Sequence, residues 1–197
     1  MSLVDLDKID ANDDRKDRYH TDKCCGFHNY IRLLYAGAFD PIRDRVTHVL
    51  ELGVREGYSH ALWRDFFTLA TVYGVDTDIS LFKATQDTTR ITLIQGNAAD
   101  RGIVDHFNGV QFDIIIDDAS HIVAEQVAAF NNLHKLLKPG GHYYIEDIQP
   151  QDLVDATLTP IDELRKALPE SIIVHDLRDV HKIPDNVIVE YVHGIQI

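Results

Sequence analysis

Short apolar runs alternate along this chain with stretches in which apolar residues recur at helical spacing. Ile31, Leu34, Tyr35 and Ala38 fall at i, i+3, i+4 and i+7, which predicts a helix near the N-terminus. Val46 to Leu52 reads as a strand, and the Gly53 to Ser59 turn leads from it into a helix carrying Ala61, Leu62, Trp63, Phe66 and Phe67. Thr71 to Val75 and Ile91 to Ile94 are further strands, and Ile103 to Phe107 is read as helical. Ile114 to Ile116 forms a fourth strand, and Val123, Val127, Phe130, His134 and Leu137 mark one face of the helix behind it. Pro139-Gly140-Gly141 stops that helix and turns into a fifth strand through Tyr143 to Ile145. Past Pro150 a loop and a short helix to about Ala167 precede two last strands, Ser171 to His175 and Val187 to His193, with turn residues Pro184-Asp185-Asn186 between them. The alternation predicts an α/β, Rossmann-like doubly wound sheet, mostly parallel, whose terminal hairpin adds one antiparallel C-terminal strand at the edge. Residues 1–22, rich in Asp, Lys, Arg and Asn, read as a loosely ordered arm on a single domain covering 1–197, since no repeat or linker divides the chain.

The strands end in acids. Ile114 to Ile116 runs into Asp117 and Asp118, and Tyr143 to Ile145 into Glu146 and Asp147. Two strands joined by a crossover helix are parallel, so these carboxylates arrive at the same edge of the sheet, where open α/β sheets bind ligands. Neighbours on a strand alternate, so Asp117 points away from Asp118 and is either a cofactor contact or structural. An acid at a strand end is also a common helix cap, a role open to Asp118 or Ser120 before the helix near His121. Asp76, at the end of the second strand, suits a ribose diol, because one carboxylate accepts from both hydroxyls. In Glu51-Leu52-Gly53-Val54-Arg55-Glu56-Gly57 the glycines allow a ligand close to the backbone. Their spacing is not that of a dinucleotide fingerprint, which disfavours a dinucleotide oxidoreductase.

Among its 197 residues, 45% are apolar and 26% charged, ordinary for a globular domain, but the formal charge of -13 argues against a nucleic-acid partner, which needs a basic face. A small molecule or a glycan is the more suitable partner. No apolar run approaches the ~18 residues of a membrane span, and the acidic N-terminus is not a signal peptide, so no membrane insertion and a cytoplasmic location are expected. Cys24 and Cys25 are adjacent and read as reduced thiols rather than a disulfide framework.

As a set these residues resemble the class I S-adenosylmethionine (SAM) methyltransferases over roughly residues 46–147, and the terminal strands suit that fold's seven-stranded sheet. Glu51 and Gly53, with Gly57 and Ser59, resemble the motif that cradles the methionine part of SAM. The resemblance places the ribose on Asp76 and the adenine by Asn97 and Ala98, and it makes Leu137-Lys138-Pro139-Gly140-Gly141 the turn before the fifth strand. Asp118 stands 28 residues before Glu146, with His121 three after Asp118, a layout similar to the metal-dependent O-methyltransferases. The catechol type has a lysine and an asparagine where this chain has His121 and Asp147. The histidine and aspartate look instead like the macrocin and mycinamicin sugar O-methyltransferases, whose N-terminal signature Thr21-Asp22-Lys23 with His28 and Tyr30 also resembles. The resemblance implies that Asp118, Glu146 and Asp147 hold Mg2+ or another hard divalent cation and that His121 is the general base. It implies a sugar hydroxyl as acceptor, a deoxysugar in a glycan or a glycosylated metabolite, with His28, Tyr30 and Gln149 as candidate substrate contacts.

A catechol-like acceptor, or a non-catalytic SAM-fold module of a larger glycan-building protein, are the alternatives. The chain is equally compatible with a domain of a larger protein and with a homo-oligomer. Without the resemblance, Lys23, His28 and Tyr30 are an ordinary helix start. Trp63, Phe66 and Phe67 are core, and His134 is a packed histidine. His20, His48, His60, His106, His142, His175, His181 and His193 read as surface or ladder residues.

Overall fold

In the computed structural model, which describes residues 1–6, 19–24, 28–83, 87–148, 160–169, 171–181 and 186–194, seven strands form one sheet. They are β1 (His48–Leu52), β2 (Thr71–Asp76), β3 (Ile91–Gln95), β4 (Phe112–Asp117), β5 (Leu137–Ile145), β6 (Ile172–Asp176) and β7 (Val187–Val192). The order is β3-β2-β1-β4-β5-β7-β6, with the first five strands parallel and β7 antiparallel to both β5 and β6. The mostly parallel seven-stranded sheet is the one expected, but the antiparallel strand is not at the edge. Val187, Ile188, Val189 and Glu190 of β7 are all buried, whereas β6 is only partly covered. A strand apolar on both faces belongs inside a sheet, so β6 takes the exposed position.

A second departure lies at Pro139-Gly140-Gly141. These residues do not form a turn ahead of the strand; β5 runs through them, with a register shift against β4 between Phe112 and Ile114. Gly140 has φ +75°, and a Cβ at Gly141 would sit 2.9 Å from the Lys138 carbonyl oxygen. Glycine is required for the irregularity, and β5 keeps its pairing on either side of it.

Helices cover both faces. On one face a π-helical turn, Ile31–Tyr35, continues into α1 (Ala36–Phe39) and packs beside α2 (Tyr58–Phe66). Tyr35, Phe39, Trp63, Phe67 and Tyr144 meet there as stacked and edge-on rings. Leu3, Leu6 and Tyr19 are buried in the same layer, which the polar character of the N-terminal residues does not signal. The other face is covered by a 3-10 helix (Arg101–Phe107), α3 (Val123–Leu133) and α4 (Pro160–Ala167), over Phe107, Phe112, Phe130, Leu133, Tyr143 and Leu164. Each such side chain contributes about 1.5–3 kcal/mol when fully buried. His134 stacks on Phe130, as a packed histidine should.

α2 is buried nearly all round, and His60 on it is fully enclosed rather than a surface residue. Gly74 on β2 makes the room, since a Cβ there would lie 2.5 Å from His60 Nε2. No described helix is long and apolar enough to cross a membrane.

Candidate active site

The strand tips carry their acids to one edge, and backbone bonds hold the tips in register. Asp118 N donates to the Leu52 carbonyl at 3.0 Å, Glu146 N to that of Asp117 at 2.9 Å, and Gly53 N to that of Val75 at 2.9 Å. Gly53, at φ +86°, lets the turn after β1 lie directly on the β4 tip: a Cβ there would fall 2.1 Å from the Asp118 carbonyl oxygen. The glycine is therefore needed for the approach of two site-bearing loops as well as for the turn.

Lys23 stands at the centre of the acids. Its ammonium, 1% exposed, contacts Asp118 Oδ2 and lies 2.6 Å from Glu146 Oε2 and 3.4 Å from Glu51 Oε1. The Tyr35 hydroxyl donates to Glu146 Oε1, and the Tyr30 hydroxyl to Asp147 Oδ1. The π-helical turn widens the spacing along this segment and brings tyrosines five residues apart to bear on adjacent acids. His28 Nδ1 lies 3.0 Å from Asn186 Oδ1 and 3.7 Å from Asp147 Oδ1. Gln126 Nε2 donates to the Glu146 carbonyl at 3.1 Å.

One ammonium does not balance three carboxylates. Burial pushes Asp118 up to about 6 despite Lys23, and it also raises Glu146, where Lys23 again opposes the shift. For Lys23 itself burial acts downward but is outweighed by Asp118, Glu146 and Glu51, so its pKa is raised and the ammonium is retained. The cluster thus carries excess negative charge that a further cation would relieve. Asp118, His121 and Asp147 each offer a ligand atom, all within 4.8 Å of one another. This oxygen-rich donor set suits a hard divalent ion. Glu146, expected as a third acid ligand, is turned towards Lys23 and Tyr35 and stands outside that group.

His121 is not in the first turn of a helix. α3 begins at Val123 with Ile122 at its N-cap, and His121 precedes it in the left-handed region at φ +58°. That conformation aims Nε2 at Asp118 Oδ1, 3.8 Å away, while Nδ1 is buried without a partner. Neither Asp118 nor Ser120 caps α3, though Ser120 Oγ accepts from Ile122 N at 3.3 Å.

Two adjoining cavities open along the same edge. The smaller, about 190 Å³, is lined by Gly53, Asp76, Asn97, Ala98, Asp117 and Gln126. The larger, about 890 Å³, is bounded by Thr21, Asp22, Gly57, Tyr58, Asp118 and His121. Gly53, Asp76 and Ala119 line both, so the two are continuous. Asp76 Oδ2 accepts from the backbone N–H groups of Val54 at 2.7 Å and Arg55 at 2.9 Å. Burial works against it, but these bonds hold its carboxyl below the usual range, ionised at the cavity wall. Asn97 Oδ1 accepts from Ala99 N at 2.8 Å, fixing the turn that carries Ala98. Asp117, whose Oδ1 accepts from Ala119 N at 3.4 Å, faces the smaller cavity, and burial raises its pKa to about 7.

Other expected site residues lie elsewhere. Glu51 lines neither cavity; it is fully buried, accepts from Ser59 Oγ at 2.7 Å and lies 3.1 Å from His60 Nδ1. Ser59 does line the larger cavity, with its hydroxyl committed to Glu51. His28 and Tyr30, the candidate substrate contacts, are buried against Asp147 and line neither cavity. Gln149 and Cys25 lie outside the described residues. Tyr35, which its helical stripe marks as core, Lys23, which the sequence marks only as part of the N-terminal signature, and Gln126 and Asn186, the last through His28, also reach the acid cluster.

The family described as "Methyltransferase domain" matches residues 50–145. The chain is 37% identical over 140 residues to the 8-demethyl-8-alpha-L-rhamnosyl tetracenomycin-C 2'-O-methyltransferase of Streptomyces olivaceus, an alignment covering 67% of this chain and 36% of that protein. It is 36% identical over 141 residues to the mycinamicin VI 2''-O-methyltransferase of Micromonospora griseorubida, covering 66% and 34%. Among solved structures, the MycE methyltransferase of the mycinamycin biosynthetic pathway in complex with Mg and SAH superposes with a TM-score of 0.73 at 26% identity, over 98% of this chain and 57% of that one. The chain thus spans about a third of the length of the curated relatives it matches.

Proposed function

We propose that this chain, which has the class I methyltransferase fold and resembles the macrocin and mycinamicin sugar O-methyltransferases, transfers a methyl group from SAM to a sugar hydroxyl in a divalent-metal-dependent reaction. The observation that carries the reading is the convergence of Asp118, His121 and Asp147 beside a two-part cavity. The smaller part, with Asp76, Asn97 and Ala98, suits the adenosine of SAM, and the larger suits the methionine and the acceptor. SAM supplies an electrophilic methyl group. A hard divalent ion, for which Mg2+ is the natural candidate, lowers the pKa of a sugar hydroxyl and fixes its position.

The chain's own residues perform the rest. Asp118 and Asp147 are the proposed carboxylate ligands, with Glu146 a third once it is released from Lys23. His121, which lines the larger cavity, accepts the hydroxyl proton at Nε2, the nitrogen directed at Asp118. Tyr30 and His28 brace Asp147, and the turn at Gly53 sets the separation between cofactor and acceptor, since methyl transfer depends chiefly on alignment. His121 and Asp147, where the catechol type has lysine and asparagine, favour a sugar over a catechol, in keeping with the rhamnosyl substrate named for the Streptomyces olivaceus relative. We take residues 1–197 as one catalytic domain, acting either alone or within a larger or oligomeric protein.

The His121→Ala variant tests the assignment. It should bind SAM as the wild type does, by calorimetry, and lose turnover by about 10²–10⁴-fold, the usual worth of a general base. Unchanged turnover would reject His121 as the base.

A further inference from the structure

Lys23 is the one described cation that touches three strand tips at once. It comes from the N-terminal segment, outside the sheet, and is anchored there by Lys23 N donating to Thr21 Oγ1 at 3.4 Å and by Ile31 N donating to its carbonyl at 3.1 Å. Its ammonium meets Glu51 of β1, Asp118 after β4 and Glu146 after β5, and it is shut off from solvent. Of these three carboxylates, Asp118 is the one that also belongs to the group with His121 and Asp147. Its two oxygens are divided: Oδ2 goes to Lys23 and Oδ1 faces His121.

We propose that Lys23 is a built-in competitor of the divalent cation: its ammonium occupies Asp118 and Glu146 while no metal is bound, and the metal must displace it from them. The inference rests on the metal-dependent reading given above. A carboxylate has lone pairs enough for two partners, but a divalent ion on Asp118, which is 19% exposed, repels the buried ammonium that shares the same carboxylate across a few ångströms. Metal binding therefore works against the lysine, which must fall back towards Glu51. The arrangement offsets part of the negative charge of Glu51, Asp118 and Glu146 without metal, and it weakens the metal site enough for the ion to exchange. A purely structural lysine predicts the opposite effect of removal: with its charge gone, the carboxylates lose their anchor and the metal site loosens.

The sign of the effect on metal affinity decides between the two. Mn2+ binding to the full chain is measured at pH 8 by calorimetry for wild type, Lys23→Met and Lys23→Gln, with thermal midpoints recorded with and without Mn2+. We expect both variants to bind Mn2+ at least about tenfold more tightly than wild type and to gain more in midpoint from it. Binding that is unchanged or weaker in folded variants overturns the inference and leaves the metal reading intact. Absence of Mn2+ binding in the wild type overturns the metal reading and this inference with it. If the variants fail to fold without metal, recovery of the native circular dichroism signal on adding Mn2+ supports the exchange of one cation for another. Variants that remain unfolded in Mn2+ overturn it.

Discussion

Replacing Gly53 with alanine perturbs the approach on which the site's geometry depends. A Cβ at this position meets the Asp118 carbonyl oxygen at 2.1 Å, its carbon at 2.9 Å and Ala119 Cα at 3.2 Å, all backbone atoms that no rotamer change can move aside. The left-handed conformation, φ +86°, costs a non-glycine residue about 1–2 kcal/mol, and relieving the clash about 1–3 kcal/mol more. Gly109 is the control, with φ +81° and nothing within 4 Å of its Cβ, so Gly109→Ala incurs the backbone cost alone. Urea denaturation of both variants subtracts the conformational cost, and with it the effect of alanine on the unfolded chain. A destabilisation of about 3 kcal/mol in Gly53→Ala lowers Tm by roughly 6–12 °C in a chain of this size. Because relief of the clash moves the β4 tip, turnover at a temperature where the variant is folded should fall about 10–100-fold. If Gly53→Ala is as stable as Gly109→Ala to within about 0.5 kcal/mol, the close approach is not a constraint and the reasoning fails.

Tyr30→Phe leaves Asp147 Oδ1 without its hydroxyl donor. Mn2+ affinity should weaken about 10-fold or more, the usual loss when a ligand's supporting partner is removed, and calorimetry that finds no change would place Tyr30 in packing alone. Glu190 is held at about 2: burial opposes this, but hydrogen bonds from His142, His175 and Tyr144 outweigh it. A carboxyl whose folded pKa is depressed stabilises above its unfolded value of 4.5 and loses that contribution as pH falls towards 2. Discounted for partial solvent access, the loss is about 1–2 kcal/mol, and it should be missing from the pH dependence of urea midpoints in Glu190→Gln.

The strands, their order of appearance and the acids at their tips were legible because a short apolar run and a polar stop are local signals. The position of β7 was not, since a hairpin can attach through either strand, and only the burial of β7 on both faces decides it. Asp118, His121 and Asp147 could be brought together from the sequence because β4 and β5 share an edge. The conformation of His121 could not, because left-handed φ in a non-glycine residue has no sequence signature here. Lys23 carries the most connected cation at the site, yet it lies 95 residues from Asp118 and 123 from Glu146. Pairings at that separation depend on where the N-terminal segment docks, which hydrophobic periodicity does not encode. Glu51 and His60 were misplaced for a related reason: α2 is enclosed nearly all round, so His60 on it faces the buried Glu51 of β1 instead of the cleft. Gly74, a glycine inside a strand, was the available clue to the space His60 fills.

The most direct test of the proposed reaction is transfer of labelled methyl from SAM to a panel of glycosides by the full chain, with and without Mg2+, followed by mapping of the labelled position. The account predicts label on a sugar hydroxyl, dependent on Mg2+ and abolished by a chelator. Label transferred equally well without a divalent ion, or placed on an atom other than a sugar oxygen, would contradict it.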